Sequence, residues 1–471
     1  MSSIDFITTM PAIDPLALHV LRTALRGRLY TREDEGYDAL RAPWQLHVDQ
    51  HPVAVVMAAE ADDVVTAVRF AREHGLPVAV QATGHGAIVP CDGGLLINTS
   101  PMQGVQIDPA ARTATVEAGV KWGPVLAAAQ EHGLAPLLGS TTDVGVVGYS
   151  FGGGMGWLAR KYGLAVDTIR AFAIVTADGR LRHVDAQSDP ELFWGARGGA
   201  GNFGIVTRVE LDLYPITEVY AGNLIFPLEM AREVLVAYRE WIAGLSDDWT
   251  TGVAMMHMPP APFVPEPLRG KSVLFVRGAY AGEHAQAEAD LRPMRDLGGL
   301  IIDAFGPLPF RAADAISNDP LEPMSVIGRT ETLADLSDAT IETLLRIVGR
   351  PDTSPIMMAE VRQLGGAVAR DPERPSAFSQ RDMPFVLLMG APAFDPSREE
   401  ATQQYMRAAT EALQPHRTGQ IYLNFLHDSD TTAARVRAGF TAGAYDRLVA
   451  LKDQLDPANM FRFNRNIPPS A

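Results

Sequence analysis

The chain has 471 residues, 47% of them hydrophobic, and at roughly 150 residues per domain this length predicts two to three domains with a sizeable core. Its 40 Lys and Arg against 56 Asp and Glu give a net charge of −16. This composition excludes a disordered chain. Nucleic acid and anionic membrane surfaces are poor partners for so acidic a protein.

Cys91 is the only cysteine, so neither an internal disulfide nor a cysteine-rich metal site can form. Residues 1–15 include Asp5 and lack the basic stretch and long apolar run of a secretory signal, and no window approaches the ~18 apolar residues of a membrane span. His47 and His51 have the spacing of metal ligands, but Pro52 follows and no third ligand is apparent. We expect a soluble, cytoplasmic protein without a metal.

The first clear unit is strand, helix, strand. Residues 53–57 form a short apolar run, Asp62 and Asp63 stand where they can cap the next helix, Gly75 ends that helix, and residues 77–82 begin a second strand. Further elements follow in a mixed order that is not a regular βαβ series, which predicts an α+β fold. They are a strand at 95–98, a hairpin turning at Asp108-Pro109, a helix at 122–132, a hairpin turning at Asp178-Gly179, and a long strand at 203–213.

The pattern changes after Tyr214-Pro215, where strands such as 224–226 and 273–276 alternate with long Ala-rich helices such as 230–243. This predicts a second α+β domain. Its loop 259–267 holds five prolines and cannot be regular structure. A strand at 421–426, a helix near 445–454 and a polar tail complete the predicted elements.

Glycine is concentrated in four clusters within about 120 residues, at 84–86, 139–148, 152–156 and 198–204. A single cluster is explained by ordinary turns, but four together favour a ligand held along several loops. Backbone amides of such loops can bind a pyrophosphate without a basic side chain, so a dinucleotide is the obvious candidate. Gly199, Gly201 and Gly204 match G-x-G-x-x-G, but a strand follows them where a helix is required, so we reject an NAD-binding Rossmann domain.

Several motifs resemble the berberine-bridge-enzyme-like flavoproteins of the vanillyl-alcohol-oxidase superfamily. They lie at about 45–215 and 420–467, in order and with family-like spacing. They are Thr-Gly-His-Gly at 83–86, Val-Gly-Val-Val-Gly at 144–148, Gly-Gly-Gly at 152–154, Arg-Lys-Tyr-Gly-Leu at 160–164 with Asp167, Phe-Trp-Gly-Ala-Arg-Gly-Gly-Ala-Gly-Asn-Phe-Gly-Ile-Val-Thr at 193–207, Tyr-Leu-Asn-Phe at 422–425, Tyr-Asp-Arg-Leu at 445–448, Lys452, Asp456-Pro457, Asn459, Phe461, and Asn-Arg-Asn-Ile at 464–467.

The resemblance implies a two-domain, PCMH-type FAD-binding fold. Residues 1–217 and the returning segment 416–471 form the FAD-binding domain, and residues 218–415 form a substrate domain, an antiparallel sheet covered by helices. It also implies that His85 is bonded to the flavin 8α-methyl. The other residues that it places around FAD are Thr83, Gly84, Gly86, Ala87, Gly139, Ser140, Thr141, Thr142, Gly145, Val146, Gly148, Gly153, Gly154, Gly204, Ile205, Val206, Asn464 and Asn466.

The chain departs from the family at three positions. Thr141 replaces a cysteine that gives many members a second flavin bond, so one bond is expected. Tyr149 stands where a histidine often faces the flavin, and its phenol can donate a hydrogen bond there. Phe425 replaces a catalytic tyrosine, which puts the usual phenolate base in doubt. Val144 occupies the position that gates oxygen in the family, where a small side chain favours an oxidase.

Another base is therefore needed if the reaction requires one. Glu360 and Arg362 alternate on a predicted strand at 358–364, so both can face the flavin, although they can equally be a surface ion pair. Tyr422 and His427 flank the predicted C-terminal strand, and His257 beside the proline-rich loop is a further option.

We predict a FAD-dependent oxidase that transfers a hydride from a small-molecule alcohol, amine or natural-product intermediate to flavin N5 and reduces O2 to hydrogen peroxide. Three alternatives remain: a flavin-dependent monooxygenase or cyclase of natural-product tailoring, a dehydrogenase with another electron acceptor, and a flavin-binding protein without turnover. No motif in residues 218–415 identifies the substrate.

Overall fold

The computed structural model describes residues 13–470, and its first sheet contains the predicted strand, helix, strand unit. The strands run in the order β1-β2-β4-β3, with β2 and β3 each parallel to β4. Asp63 does not cap α3: its carboxylate accepts from the backbone amides of Arg26, Gly27 and Ala59 and so fixes the chain entering β1. The elements are α1 Pro15–Ala24, β1 Arg28–Tyr30, α2 Tyr37–Arg41, β2 Ala54–Met57, α3 Ala61–Glu73, β3 Val78–Gln81 and β4 Leu95–Asn98.

The second sheet is antiparallel, with the order β5-β6-β9-β7-β8, and includes both predicted hairpins. Its long strand begins at Ile205 rather than at residue 203. Gly204 has φ +156°, and a Cβ there would lie 2.4 Å from the Val175 carbonyl oxygen, so the chain enters the strand through a conformation that suits glycine. The elements are β5 Val105–Asp108, β6 Thr113–Glu117, α4 Trp122–Gln130, α5 Val146–Phe151, α6 Ala159–Tyr162, α7 Ala165–Thr168, β7 Ile169–Val175, β8 Leu181–Asp185, α8 Pro190–Gly199 and β9 Ile205–Asp212.

The third sheet has eight strands, in the order β13-β10-β12-β11-β16-β17-β15 with β14 beside β10, and every pair is antiparallel. The proline-rich loop is irregular apart from a 3-10 turn at Glu266–Leu268. The elements are β10 Glu218–Pro227, α9 Ala231–Ile242, β11 Trp249–His257, β12 Ser272–Tyr280, α10 His284–Arg295, β13 Ile302–Asp303, β14 Gly306–Pro309, α11 Asp314–Ser317, β15 Val326–Leu333, α12 Asp338–Val348, β16 Met358–Gln363, β17 Phe385–Pro392 and α13 Glu399–Ala412.

Long helices cover one face of this sheet. Ala359 and Val361 of β16 are buried in the same core cluster as Val234 and Tyr238 of α9. Because side chains alternate along a strand, Glu360 and Arg362 belong to the opposite face, towards the first half of the chain. The predicted α+β class is confirmed, whereas the domain boundaries at 217 and 415 stay predictions.

The C-terminal segment contains α14 Ala433–Ala438 and α15 Ala442–Leu455 and packs back on the first half of the chain. The strand expected at 421–426 is absent; this stretch contains a 3-10 turn, Leu423–Phe425. The guanidinium of Arg465 donates to the carbonyls of Leu423, Asn424 and Leu426, so a side chain rather than a neighbouring strand satisfies this backbone.

Candidate active site

His85 lies in the loop after β3. Its Nδ1 is 3.0 Å from Thr83 Oγ1, its ring stacks on Trp44 with centroids 4.4 Å apart, and Nε2 is 3.8 Å from the Asp143 carboxylate. Burial lowers the pKa of His85 to about 4, with Asp143 opposing the shift and Lys121 adding to it. The imidazole is therefore neutral at pH 7. Thr83, Trp44 and Asp143 also line a cavity of about 660 Å³.

Buried polar atoms without a hydrogen-bond partner among residues 13–470 recur near this loop and in the tail. They include His85 Nε2, Tyr149 Oη, Ser150 Oγ, Tyr422 Oη, Asn464 Oδ1 and Asn466 Oδ1. Since a buried polar group without a partner is costly, atoms of this kind indicate a surface shaped for a polar ligand. Gly148 faces open space, since a Cβ there would meet no atom within 4 Å.

Two glycines that were predicted to contact the cofactor lie against the ring of Tyr149. A Cβ at Gly139 would lie 2.9 Å from its ring and one at Gly154 would lie 2.6 Å away, so both glycines make room for the phenol. Trp122 meets the ring edge-on. Burial raises the pKa of Tyr149 well above its usual value, Tyr422 adds to the shift, and Arg362 opposes it. The phenol thus stays protonated and is a hydrogen-bond donor.

The other predicted cofactor residues lie around these groups. Asn464 donates to the Gly201 carbonyl, and Asn202, from the same glycine-rich stretch, donates to the Arg465 carbonyl. The Thr141 hydroxyl accepts from the Asp143 amide. Ile205 and Val206 are buried in β9, Gly204 packs on β7, and Gly145 and Val146 begin α5. Gly84, Gly86 and Ala87 form the turn around His85, and Gly153 packs on Phe378.

Glu360 and Arg362 form a buried cluster with Arg277, and not a surface pair. Glu360 Oε1 lies 3.2 Å from Arg277 Nη1, and Oε2 lies 2.9 Å from Arg362 Nη2. Their side chains are only 3%, 4% and 11% exposed for Glu360, Arg277 and Arg362. Burial would raise the pKa of Glu360, but the two guanidinium groups outweigh burial and hold that pKa below its usual value. Glu360 is therefore ionised at neutral pH.

Aromatic residues of the first half and the tail meet this cluster. The Arg362 guanidinium carbon lies 5.6 Å from the Trp157 ring and 5.5 Å from the Phe425 ring. Tyr422 packs edge-on against Phe425, with centroids 5.0 Å apart. Burial raises the pKa of Tyr422, so this phenol also stays protonated. The predicted residues Tyr149, Glu360, Arg362 and Tyr422 are thus brought to one place.

Two acidic residues of the substrate half contact the loop at 140–142. Ser140 donates to Asp319 at 2.5 Å, and the Thr142 amide donates to Asp314 at 2.7 Å. Burial raises the pKa of Asp319, with Arg362 opposing the shift. Val144 is half-buried beside this loop, and its carbonyl accepts from the Trp122 amide.

The other histidines considered from the sequence contact groups outside this cluster. His257 contacts Ser272 and the Val348 carbonyl. His427 packs on Gly328, and its pKa is lowered to about 4 by burial together with Arg465 and Arg329. His47 lies beside Asp428 and His51 beside Asp49 and Asp92. Residues 13–470 contain no cluster of three or more His, Cys, Asp or Glu side chains suited to a metal ion. Nor does that part of the chain include a helix long and apolar enough to cross a membrane.

Sequence reasoning missed Arg277, Asp319 and Trp157, and it gave Arg465 no role. Arg277 comes from a strand far along the chain, and only strand register shows that it reaches Glu360. Arg465 lies within one of the family-like motifs, but its donation to four carbonyls, Gly86 included, was not predictable from spacing.

Two protein-family models match the chain. The FAD binding domain matches residues 52–185, and the family described as berberine and berberine like matches residues 421–468. The first stretch contains His85, and the second contains the tail with Asn464 and Asn466.

Relatives match almost the whole length. (R)-6-hydroxynicotine oxidase of Paenarthrobacter nicotinovorans is 28% identical over 95% of this chain and 97% of its own. An FAD-dependent monooxygenase of Fusarium proliferatum is 37% identical, but over 38% of this chain and 35% of its own. The crystal structure of 6-hydroxy-D-nicotine oxidase from Arthrobacter nicotinovorans has a TM-score of 0.84 at 26% identity, covering 95% of this chain and 98% of that one. The fold alone is shared with xylooligosaccharide oxidase of Myceliophthora thermophila, at TM-score 0.83, 20% identity and coverage of 97% and 99%.

The fold, the family matches and the near-complete coverage define a two-domain FAD-linked oxidoreductase. The two family matches and the relatives support a berberine-bridge-enzyme-like FAD-linked oxidoreductase, as the sequence resemblance implied. Its residues fit FAD, because the buried atoms without partners include the amide oxygens of Asn464 and Asn466 and an imidazole nitrogen, all beside glycine-rich loops.

Proposed function

We propose that this protein is a FAD-dependent oxidase with one covalent flavin bond, from His85 to the 8α-methyl. The observation that supports the bond is Nε2 of His85, which is buried, has no hydrogen-bond partner within residues 13–470 and is neutral at pH 7. A neutral imidazole nitrogen is a nucleophile, whereas a protonated one is not. Thr141 has no thiol, which limits the linkage to one bond.

The FAD contacts proposed from the sequence follow the same loops. Thr83, Gly84, Gly86 and Ala87 surround His85, and Gly148 offers open space for close backbone approach. Further contacts are proposed from Ser140, Thr142, Gly145, Val146, Gly153, Gly204, Ile205, Val206, Asn464 and Asn466. Gly139 and Gly154 contribute indirectly, since they make room for Tyr149.

Bound FAD would accept a hydride from the substrate and pass the electrons to O2, giving hydrogen peroxide. The phenols of Tyr149 and Tyr422 stay protonated, so they orient ligands as donors. Glu360 is the ionised carboxylate beside Arg362, and we assign it the proton of a substrate hydroxyl or amine. Val144 has a small side chain beside the loop at 140–142, and we propose that it lets O2 reach the flavin.

A second candidate is oxygen insertion into a natural product. Phe425 favours it, because this side chain has no hydroxyl to act as a base, and an FAD-dependent monooxygenase matches part of the chain. Isotopically labelled O2 separates the two reactions: a monooxygenase places label in the organic product, whereas an oxidase places all of it in peroxide.

The experiment for the oxidase proposal needs no substrate. The flavin is reduced by dithionite without oxygen and mixed with oxygenated buffer, and peroxide is measured. Fast reoxidation with one peroxide per flavin supports an oxidase, and slow reoxidation supports a dehydrogenase with another acceptor.

We also propose that the enzyme works in the cytoplasm. Cys91 is the only cysteine, it is buried, and burial raises its pKa, so the thiol is protected from oxidation and pairing. A chain without disulfides suits a reducing compartment.

A further inference from the structure

Four residues form a row across the sheet of the substrate half, on the face without the long helices. Asn223 of β10 is in register with Arg277 of β12, Arg277 with Gly252 of β11, and Gly252 with Arg362 of β16. The two arginines are thus two strands apart, about 10 Å between their Cα atoms. The strand between them contributes no side chain at this row, since its residue is glycine.

One carboxylate serves both arginines. Glu360 gives one oxygen to Arg277 and the other to Arg362, so these three side chains have one positive charge in excess. Placing an uncompensated charge in a buried site is costly. Such a charge is retained where a ligand of opposite charge completes the site.

One donor of the row has no hydrogen-bond partner among residues 13–470. The Arg277 side chain is 4% exposed, and the atom without a partner is its Nε. The Nε of Arg277 is therefore a buried donor that Glu360 does not use. Gly252 adds no side chain between the two arginines, and a Cβ there would lie 3.6 Å from Cγ of Arg362.

One nearby acid is Asp319. It accepts from Ser140, and burial raises its pKa, with Arg362 opposing the shift. Aromatic rings flank both guanidinium groups: Phe275 lies 5.1 Å from that of Arg277, and Trp157 and Phe425 lie within 5.6 Å of that of Arg362. The surroundings suit an organic anion with an apolar body.

We propose that Arg277 and Arg362, with Gly252 between them, bind a carboxylate group of the substrate, so that the enzyme oxidises a small organic acid. This proposal rests on the proposed function, because it requires a flavin beside this face of the sheet. Guanidinium groups bind carboxylates through paired, charge-assisted hydrogen bonds, which makes the carboxylate the chemistry that this site recognises.

The test compares benzoate, benzamide and benzylamine, which share a ring and differ in charge. Binding to the purified holoprotein is measured by calorimetry and by the flavin absorbance spectrum. Benzoate should bind roughly tenfold or more tightly than benzamide, because a hydrogen bond to a charged group contributes about 1.5 to 3 kcal/mol, and benzylamine should bind least. Equal binding of benzoate and benzamide, or tighter binding of benzylamine, overturns the proposal without any variant.

Variants locate the subsite. Arg277→Gln and Arg362→Gln should each weaken benzoate binding by about 10- to 100-fold and leave benzamide binding unchanged, because only the carboxylate uses the charge. Arg362→Lys should restore part of the affinity. Arg180→Gln, at a side chain that is 77% exposed, is the matched control and should change nothing. Unchanged benzoate binding in both glutamine variants would place the anion elsewhere.

The two proposals fail differently. Flavin content and reoxidation by O2 are measured on the same preparation without any probe. If both are as expected but benzoate does not bind preferentially, only the carboxylate subsite is wrong. If the protein carries no covalent flavin or reoxidises slowly, the proposed function is wrong, whereas calorimetry still reports on the subsite.

Discussion

Replacing Lys452 by Met should strongly destabilise the FAD-binding half of the protein. Lys452 and Asp456 are both 0% exposed and form an ion pair of 2.7 Å at the end of α15. The ammonium also donates to the carbonyls of Asn202, at 2.9 Å, and Phe461, at 3.1 Å. It therefore connects the last helix, the glycine-rich stretch after α8 and the polar tail.

The expected loss in the free energy of unfolding follows from the groups that remain buried after the substitution. Asp456 still accepts from the amides of Met460, at 2.8 Å, and Phe461, at 2.9 Å, but its buried charge loses the cation that pairs with it. Breaking a buried pair by removing one partner costs about 3 to 5 kcal/mol. The double variant Lys452→Met with Asp456→Asn removes the stranded charge and keeps an acceptor oxygen for these amides, and we expect it to be more stable than the single variant.

Urea unfolding of the holoprotein measures the loss of stability. The change in the free energy of unfolding is read from the shift in the midpoint urea concentration, provided that the dependence on urea keeps the same slope. Lys271→Met is the matched control, because this lysine is exposed, and it should change the free energy of unfolding by less than about 0.5 kcal/mol. A Lys452→Met protein within about 1 kcal/mol of the unaltered one would refute the reasoning.

The remaining predictions concern the flavin, the proton and pH. Val144→Ile should slow reoxidation in stopped-flow mixing with oxygenated buffer but leave anaerobic reduction unchanged, whereas equal reoxidation rates would remove this residue as a gate. Thr141→Cys should shift the flavin spectrum through a second bond. If thiol titration finds the new cysteine free, Thr141 does not occupy the position of the family's cysteine. Glu360→Gln should slow reduction by substrate and flatten its pH profile without changing reoxidation by O2. The pKa of His427 is about 4 in the folded protein against 6.5 for an exposed ring, so the unfolded chain binds more protons and the free energy of unfolding falls as pH drops from about 6.5 to about 4. His427→Gln should remove up to roughly 3 kcal/mol of that fall in urea titrations, and an unchanged pH dependence would count against a neutral buried ring.

Local chemistry made much of the fold predictable. The hairpins at Asp108-Pro109 and Asp178-Gly179 form where turn residues separate alternating strands, and the first strand, helix, strand unit follows from hydrophobic spacing. The period of two also predicted that Glu360 and Arg362 share a face.

Long-range contacts explain what sequence reasoning did not find. The stretch 421–426 alternates like a strand, but Arg465, some 40 residues further on, satisfies its carbonyls and removes the need for a partner strand. Arg277 joins Glu360 only through the register of three strands distant in sequence. Gly139 makes room for the bulk of Tyr149, a contact that spacing did not reveal, and its approach to the cofactor stays a prediction.

The intact mass of the denatured protein tests the central claim most directly. If His85 carries the flavin, the unaltered protein should have the mass of the chain plus one FAD less two hydrogens, and acid precipitation should leave the supernatant colourless. His85→Ala should have the mass of the bare chain and release its FAD, while His132→Ala, at an exposed histidine, should keep the adduct. An unaltered protein with the mass of the bare chain, or an adduct that survives in His85→Ala, would contradict the account.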